Sequence, residues 1–181
     1  MIPFQVDAKV TCGTAAPSLF HSRTDLRKLR RFGASIRYSG NMKIYFGFTV
    51  AGDRSAIDAA RRVVRLLEEL GHEVLTRHLV SDNAWEADRS ISPQDVFWRD
   101  MAWLDQCDRF IAEVSGSSFG LGFETGYLLG STNKKVMLLF RREVQERVSL
   151  LISGNTHPNC TLVPYTTVED AEQFIASSLG Q

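Results

Sequence analysis

Short, almost wholly apolar runs alternate along this chain with longer stretches in which apolar residues recur every three or four positions. Residues 43–48 (Lys43-Ile44-Tyr45-Phe46-Gly47-Phe48) and 135–140 are of the first kind, and residues 108–114 read as a strand around the apolar centre Phe110-Ile111-Ala112. Such runs are expected of strands covered on both faces. Residues 73–76 and 159–163 are weaker runs that read as two further strands. Between the first two runs, Ile57, Ala60, Val63, Val64, Leu67 and Leu70 form a helical stripe over residues 54–70, and Gly71 is a natural stop. Ser92 and Pro93 have the N-cap and first-turn chemistry of a second helix, running to about Cys107. A third helix follows the small-residue loop after Val114 and runs to about Gly130, and residues 141–152 read as a fourth. Thr166 and Glu169 have capping-box spacing ahead of a last stripe of Ala171, Phe174, Ile175 and Leu179. Residues 80–90 are polar without a period and read as a loop.

A strand followed by a helix, five times over, predicts an α/β architecture: one Rossmann-like (flavodoxin-like) domain with a five-stranded, mostly parallel sheet and helices on both faces. The 181 residues suit a single domain.

Composition narrows the function classes. Lys+Arg and Asp+Glu are equal at 21 each, so no overall charge points to nucleic acid. No apolar run approaches the ~20 residues of a membrane span. Cys12, Cys107 and Cys160 lie far apart, which argues against a disulfide framework and for a reducing compartment. The four histidines lack zinc spacing, so neither a metal nor an organic cofactor is expected. A cytoplasmic location follows.

Charge is uneven along the chain. Residues 1–41 hold seven Lys/Arg against Asp7 and Asp25, which leaves 14 basic and 19 acidic residues for the remainder. This extension reads as a mobile basic segment, with an organelle transit peptide or a start at Met42 as the alternatives. The domain proper is residues 42–181.

The candidate chemistry centres on residues 112–126. A strand end, Ala112-Glu113-Val114, passes through a Ser/Gly loop into a helix with one acid, Glu124. Open α/β sheets bind ligands at the carboxyl ends of their strands, and a helix N-terminus with serines beside it suits an anion. The alternative is a small-residue turn built for close packing, with Glu124 on a solvated face. Asp100 lies among large apolar residues of its helix, where a solvated acid is the competing reading.

These residues together resemble the nucleoside 2-deoxyribosyltransferase superfamily, most closely its 2′-deoxynucleoside 5′-phosphate N-hydrolase branch. The likeness rests on Tyr45-Phe46, on Asp100 with Trp103-Leu104, on Ala112-Glu113-Val114, and on Gly122-Phe123-Glu124-Thr125-Gly126. Leu139-Phe140-Arg141, Arg147-Val148-Ser149 and Ile152 extend it, and it spans residues 42–181. The resemblance implies cleavage of the base–sugar bond of a (2′-deoxy)nucleoside 5′-monophosphate, with Glu124 as nucleophile, Asp100 as its acidic assistant and Tyr45 holding the nucleophile. It implies substrate contacts from Gly52, Ser118 and Gly120, with His78 and Trp103 at the base, although a packing role for the last two competes. It also implies a homodimer in which Ser149 reaches the neighbouring site. One stretch departs from the family pattern. The hydrolases carry Arg-Gly-Gly in the first loop where this chain has Ala51-Gly52-Asp53, and Arg54 is the nearest replacement cation. The alternatives are base exchange by a deoxyribosyltransferase and a non-catalytic nucleotide-binding domain.

Overall fold

The computed structural model describes residues 40–179. Five strands, β1 (Lys43–Gly47), β2 (Glu73–Val74), β3 (Arg109–Glu113), β4 (Lys135–Arg141) and β5 (Cys160–Tyr165), form one sheet in the order β2-β1-β3-β4-β5. Every pairing is parallel. The helices are α1 (Ile57–Glu69), α2 (Ala84–Arg89), α3 (Pro93–Gln106), α4 (Phe119–Ser131), α5 (Leu150–Ser153) and α6 (Val168–Leu179), with 3₁₀ turns at Arg77–Val80 and Arg142–Arg147. The described residues fall within one compact unit, Arg37–Gln181.

The apolar runs are continuous because each strand feeds two cores. Ile44, Phe46, Ile111, Met137 and Leu139 pack with Val63, Val64, Leu67 and Ile175 of α1 and α6. Tyr45, Phe110, Ala112, Val136, Leu138 and Phe140 point the other way, toward Leu104, Leu121 and Leu128 of α3 and α4. Burying one such side chain contributes roughly 1.5–3 kcal/mol, against ~1 kcal/mol for a cap. Burial therefore positions the elements, and caps set their ends. Ser92 Oγ accepts from the Asp95 N–H at 3.1 Å to start α3. Gly71, at φ 88°, closes α1.

Three expectations are corrected. Residues 80–90 are not a bare loop but hold α2. Ala84 is buried there and Leu79 just before it, and the carbonyls of Leu79 and Val80 are bonded by Arg54 and Arg61 from across the sequence. A local period cannot register that support. Residues 141–152 are not one helix, because only Val144 and Val148 of the first part are buried, too small a stripe to hold full turns. The last helix is capped one residue later than read. Thr167 and Asp170 bond each other's N–H groups, while Glu169 pairs with Arg62 at 2.7 Å. The basic extension read over residues 1–41 lies, except for its last two residues, outside the described residues.

The strand order reverses between β1 and β3, and the crevice at that point lies at their carboxyl ends. The loops after β1 and β3 interlock there. A Cβ on Gly52 would sit 2.5 Å from the Ser117 carbonyl oxygen, and one on Gly116 would collide with the Asp53 carbonyl. Neither position accepts a side chain without separating the loops.

Candidate active site

Helix α4 begins at the β3 loop, where Ser118 Oγ accepts from the Leu121 N–H at 3.3 Å. Its first turn descends onto β1. A Cβ on Gly47 would lie 2.6 Å from Leu121 Cδ2 and 2.9 Å from the Ala112 Cβ, so only glycine lets the helix approach this closely. Tyr45 shares a strand face with Gly47, and Glu124 lies three residues beyond Leu121 on the same helical side. The two meet: Tyr45 Oη donates to Glu124 Oε1 at 2.8 Å. Phe110 stacks on the Tyr45 ring at 5.4 Å and fixes the phenol from beneath.

Glu124 Oε2 is buried without a hydrogen-bond partner. Burial pushes this carboxyl up to about 7; the Tyr45 hydroxyl draws it down, and the neighbouring Asp100 adds to the rise. Tyr45 is itself driven far above its ordinary value by burial and by both carboxylates, so it stays a proton donor. Asp100 is raised by burial, while Arg99 favours its charged form. Arg99 Nε contacts Asp100 Oδ1 at 2.9 Å, and Arg99 Nη2 contacts Asp88 Oδ1 at 3.0 Å. His78 Nε2 lies 3.6 Å from the same Asp88 oxygen, and the His78 ring is 5.5 Å from that of Trp103. Arg99 covers the Trp103 face at 4.9 Å.

The expected residues thus fall into two groups. Tyr45, Glu124 and Asp100 converge, with His78 and Trp103 joined to Asp100 through Arg99. Ser118 and Ser149 line a separate cleft of about 640 Å³ beside α4, with Val114, Phe119, Phe123, Leu151 and Ile152. The carboxylates are not part of that cleft's lining, and α4 is the element common to both. Gly120 stands on the exposed first turn of α4, where an added Cβ would make only ordinary contact with Ser118 Oγ at 3.6 Å. Gly52 serves the contact between loops.

Arg54 does not present a free cation. It donates to the carbonyls of Thr49 at 2.7 Å, Leu79 at 3.0 Å and Ser81 at 3.2 Å, and lies over the Phe48 ring. Asp53 beside it is exposed, and the Ser55 N–H and hydroxyl hold its carboxyl below the ordinary value. Glu113, buried at the end of β3, accepts from the Ser115 hydroxyl and from Tyr165 Oη at 3.0 Å, which ties down the start of the β3 loop.

Sequence reasoning missed Arg99, Asp88, Gly47 and the work of Glu113. Arg99 carries a weak signal, a base next to a candidate acid. Asp88 carries none, since it lies in a segment without a period. Among the described residues, no group of three or more His, Cys, Asp or Glu is arranged to hold a metal, and no helix is long and apolar enough to cross a membrane.

A sequence profile described as nucleoside 2-deoxyribosyltransferase matches residues 44–175, a span that includes every residue of this site. The chain belongs to the nucleoside 2-deoxyribosyltransferase family. Within that family it is similar to a Thermofilum pendens protein provisionally named 2′-deoxynucleoside 5′-phosphate N-hydrolase 1. The two are 40% identical over 138 residues, covering 76% of this chain and 95% of that protein. It is 36% identical over 116 residues to a 5-hydroxymethyl-dUMP N-hydrolase of Esox lucius, covering 62% of this chain and 79% of that protein. The solved structure of a Clostridium botulinum CMP N-glycosidase matches with a TM-score of 0.55 and 24% identity, over 75% of this chain and 98% of that one. That likeness is one of fold. The family membership and the parallel α/β architecture expected from the sequence are both established.

Proposed function

We infer that the chain is an N-glycosidase that hydrolyses the base–sugar bond of (2′-deoxy)nucleoside 5′-monophosphates, with Glu124 as nucleophile. The observation that carries this reading is the Tyr45–Glu124 bond of 2.8 Å, which leaves Glu124 Oε2 buried and unpartnered. An oxygen in that state needs an electrophile or a proton. As the C1′–N bond breaks, its electron pair leaves with the base, which takes up a proton. A Glu124 oxygen closes on C1′ to give a glycosyl ester. Water then attacks C1′, the ester bond breaks back to the carboxylate, and (deoxy)ribose 5-phosphate departs with a proton released. Tyr45 orients the nucleophile, and Asp100 handles the proton or holds the sugar. His78 and Trp103 border the base, while Ser118, Gly120 and Gly52 flank the phosphate end.

A second reading draws on the first loop. Its cation, Arg54, is bonded to three carbonyls, and Asp53 adds a negative charge. Both features favour an unphosphorylated nucleoside, the substrate class of the base-exchange alternative.

The proposal includes a homodimer. Phe119 and Leu151 are 101% and 87% exposed in the lining of the cleft that contains Ser149, Leu150 next in sequence to Ser149 is 85% exposed, and an apolar patch of this kind suits a second copy. Ser149 would then serve the partner's phosphate. A reducing, cytoplasmic location accords with the cysteine usage.

The test is base release, followed by chromatography, from deoxynucleoside monophosphates and the matching nucleosides. Release from monophosphates alone, abolished in Glu124→Ala, is the expected result. Release from nucleosides that an added base diverts would select the transferase. No release from either class would remove the glycosidase reading for these substrates.

A further inference from the structure

Asp100 is the second carboxyl of the site, and it stands under unusual local constraint. Its helix supplies Arg99 at the adjacent position, and α2 supplies Asp88. The side chains of Asp88, Arg99 and Asp100 are 18%, 23% and 25% exposed, so most of the water that would otherwise solvate three charges is gone. Arg99 answers this with two contacts, 2.9 Å to Asp100 Oδ1 and 3.0 Å to Asp88 Oδ1, and by lying over the Trp103 ring. The guanidinium is a planar fork, and each further contact removes a freedom of rotation. With Asp88 at one end and Trp103 beneath, its remaining donor direction is defined.

We propose that Arg99, braced by Asp88, is the positioning residue that holds Asp100 as an oriented anion beside Tyr45 and Glu124. This rests on the glycosidase reading of the site. Arg99 acts through Asp100 and touches no reacting atom.

The groups facing Asp100 are Arg99 on its own helix, Asp88 on α2, His78 on the 3₁₀ turn, and across the crevice Glu124 on α4 and Tyr45 on β1. Glu124 and Asp100 interact, so their proton affinities belong to the pair. Removing a cation from beside two coupled carboxyls raises both macroscopic values, whichever site ionises first. Removing an anion lowers both. The two supporting residues therefore give opposite signs, which damage to packing would not.

The experiment compares the full-length wild type with Arg99→Gln, Arg99→Lys and Asp88→Asn. It reads the pH profile of kcat/KM on whichever substrate the wild type turns over. Arg99→Gln is expected to move the profile to higher pH by about one unit, and to lower kcat 10- to 100-fold with less than a threefold change in KM. Arg99→Lys is expected to bring the limbs back toward the wild-type positions. Asp88→Asn keeps an acceptor for Arg99 while losing the charge, and is expected to move the profile to lower pH. Limbs that stay in place in both Arg99→Gln and Asp88→Asn, or that move the same way, would overturn the proposal. If Arg99→Gln does not fold, the direction in Asp88→Asn decides alone: downward supports, unchanged or upward refutes. If the wild type turns over no substrate, the glycosidase reading fails by itself. The Asp100 titration, followed by carboxyl ¹³C NMR, then tests the bracing separately. A midpoint that rises in Arg99→Gln supports it, and an unchanged one refutes it.

Discussion

Tyr45 Oη lies 2.8 Å from Glu124 Oε1, and 79 positions of chain separate the two residues. One side chain rises from a central strand and the other descends from the helix after the neighbouring strand. Gly47 makes the meeting possible, because it lets Leu121 settle between the sheet and α4. Replacing Tyr45 with Phe removes the donor that favours the Glu124 carboxylate. The acid limb of kcat/KM should therefore move to higher pH, with a 10- to 100-fold loss of kcat/KM at pH 7. Steady-state kinetics across pH on base release would check both.

Glu124 also bears on stability. Its carboxyl is raised from 4.5 to about 7 in the fold, so the native state binds a proton more tightly than the unfolded chain. That contribution is fully present below about 4.5 and is lost as pH rises through about 7. The loss amounts to about 3 kcal/mol at the alkaline end. Glu124→Gln should thus melt close to wild type at pH 5 and on the order of 5 °C higher at pH 8. Calorimetric scans at the two pH values are the check, and a gap that does not widen would contradict the burial argument.

Gly47→Ala should act at a distance on the same carboxylate. The new methyl meets Leu121, Ala112 and Phe110, at 2.6, 2.9 and 3.0 Å before relaxation. Relief requires α4 to lift from β1. Overpacking of this kind costs about 1–3 kcal/mol. The expected outcome is a lower denaturant midpoint together with a larger loss in kcat than in KM.

Arg54→Gln distinguishes a phosphate contact from a structural one. The guanidinium serves three carbonyls from the β1 loop and the 3₁₀ turn. Losing charge-assisted bonds to partly buried acceptors costs about 2–3 kcal/mol. The variant should melt lower, while the ratio of kcat/KM for a monophosphate to that for its nucleoside stays within about threefold of wild type. A large selective loss on the monophosphate would restore Arg54 to the anion site.

Much of this molecule was determined by sequence alone, and the physical reason is locality. A strand covered on both faces is apolar at its centre, so β1, β3 and β4 were legible as runs. A helix against one core must repeat every three or four residues, so α1 was legible as a stripe. Ser92, Pro93 and Gly71 act on their nearest neighbours, and they marked ends correctly. Asp100 and Glu124 stood out as acids among apolar neighbours, and Tyr45 was picked out only by the family resemblance.

The tertiary structure decided what depends on distant partners. Helix α2 exists where the local pattern read loop, because arginines of the α1 region satisfy the carbonyls that precede it. Residues 141–152 divided into a 3₁₀ turn and a short helix, because burial there reaches only two valines. Arg54 was a plausible free cation in one dimension and is a bonded one in three. Asp88 was invisible until α2 brought it against Arg99. The ionisation of Glu124 likewise follows from burial, from a phenol 79 residues away and from Asp100 on another helix, none of which has a signature at the glutamate itself.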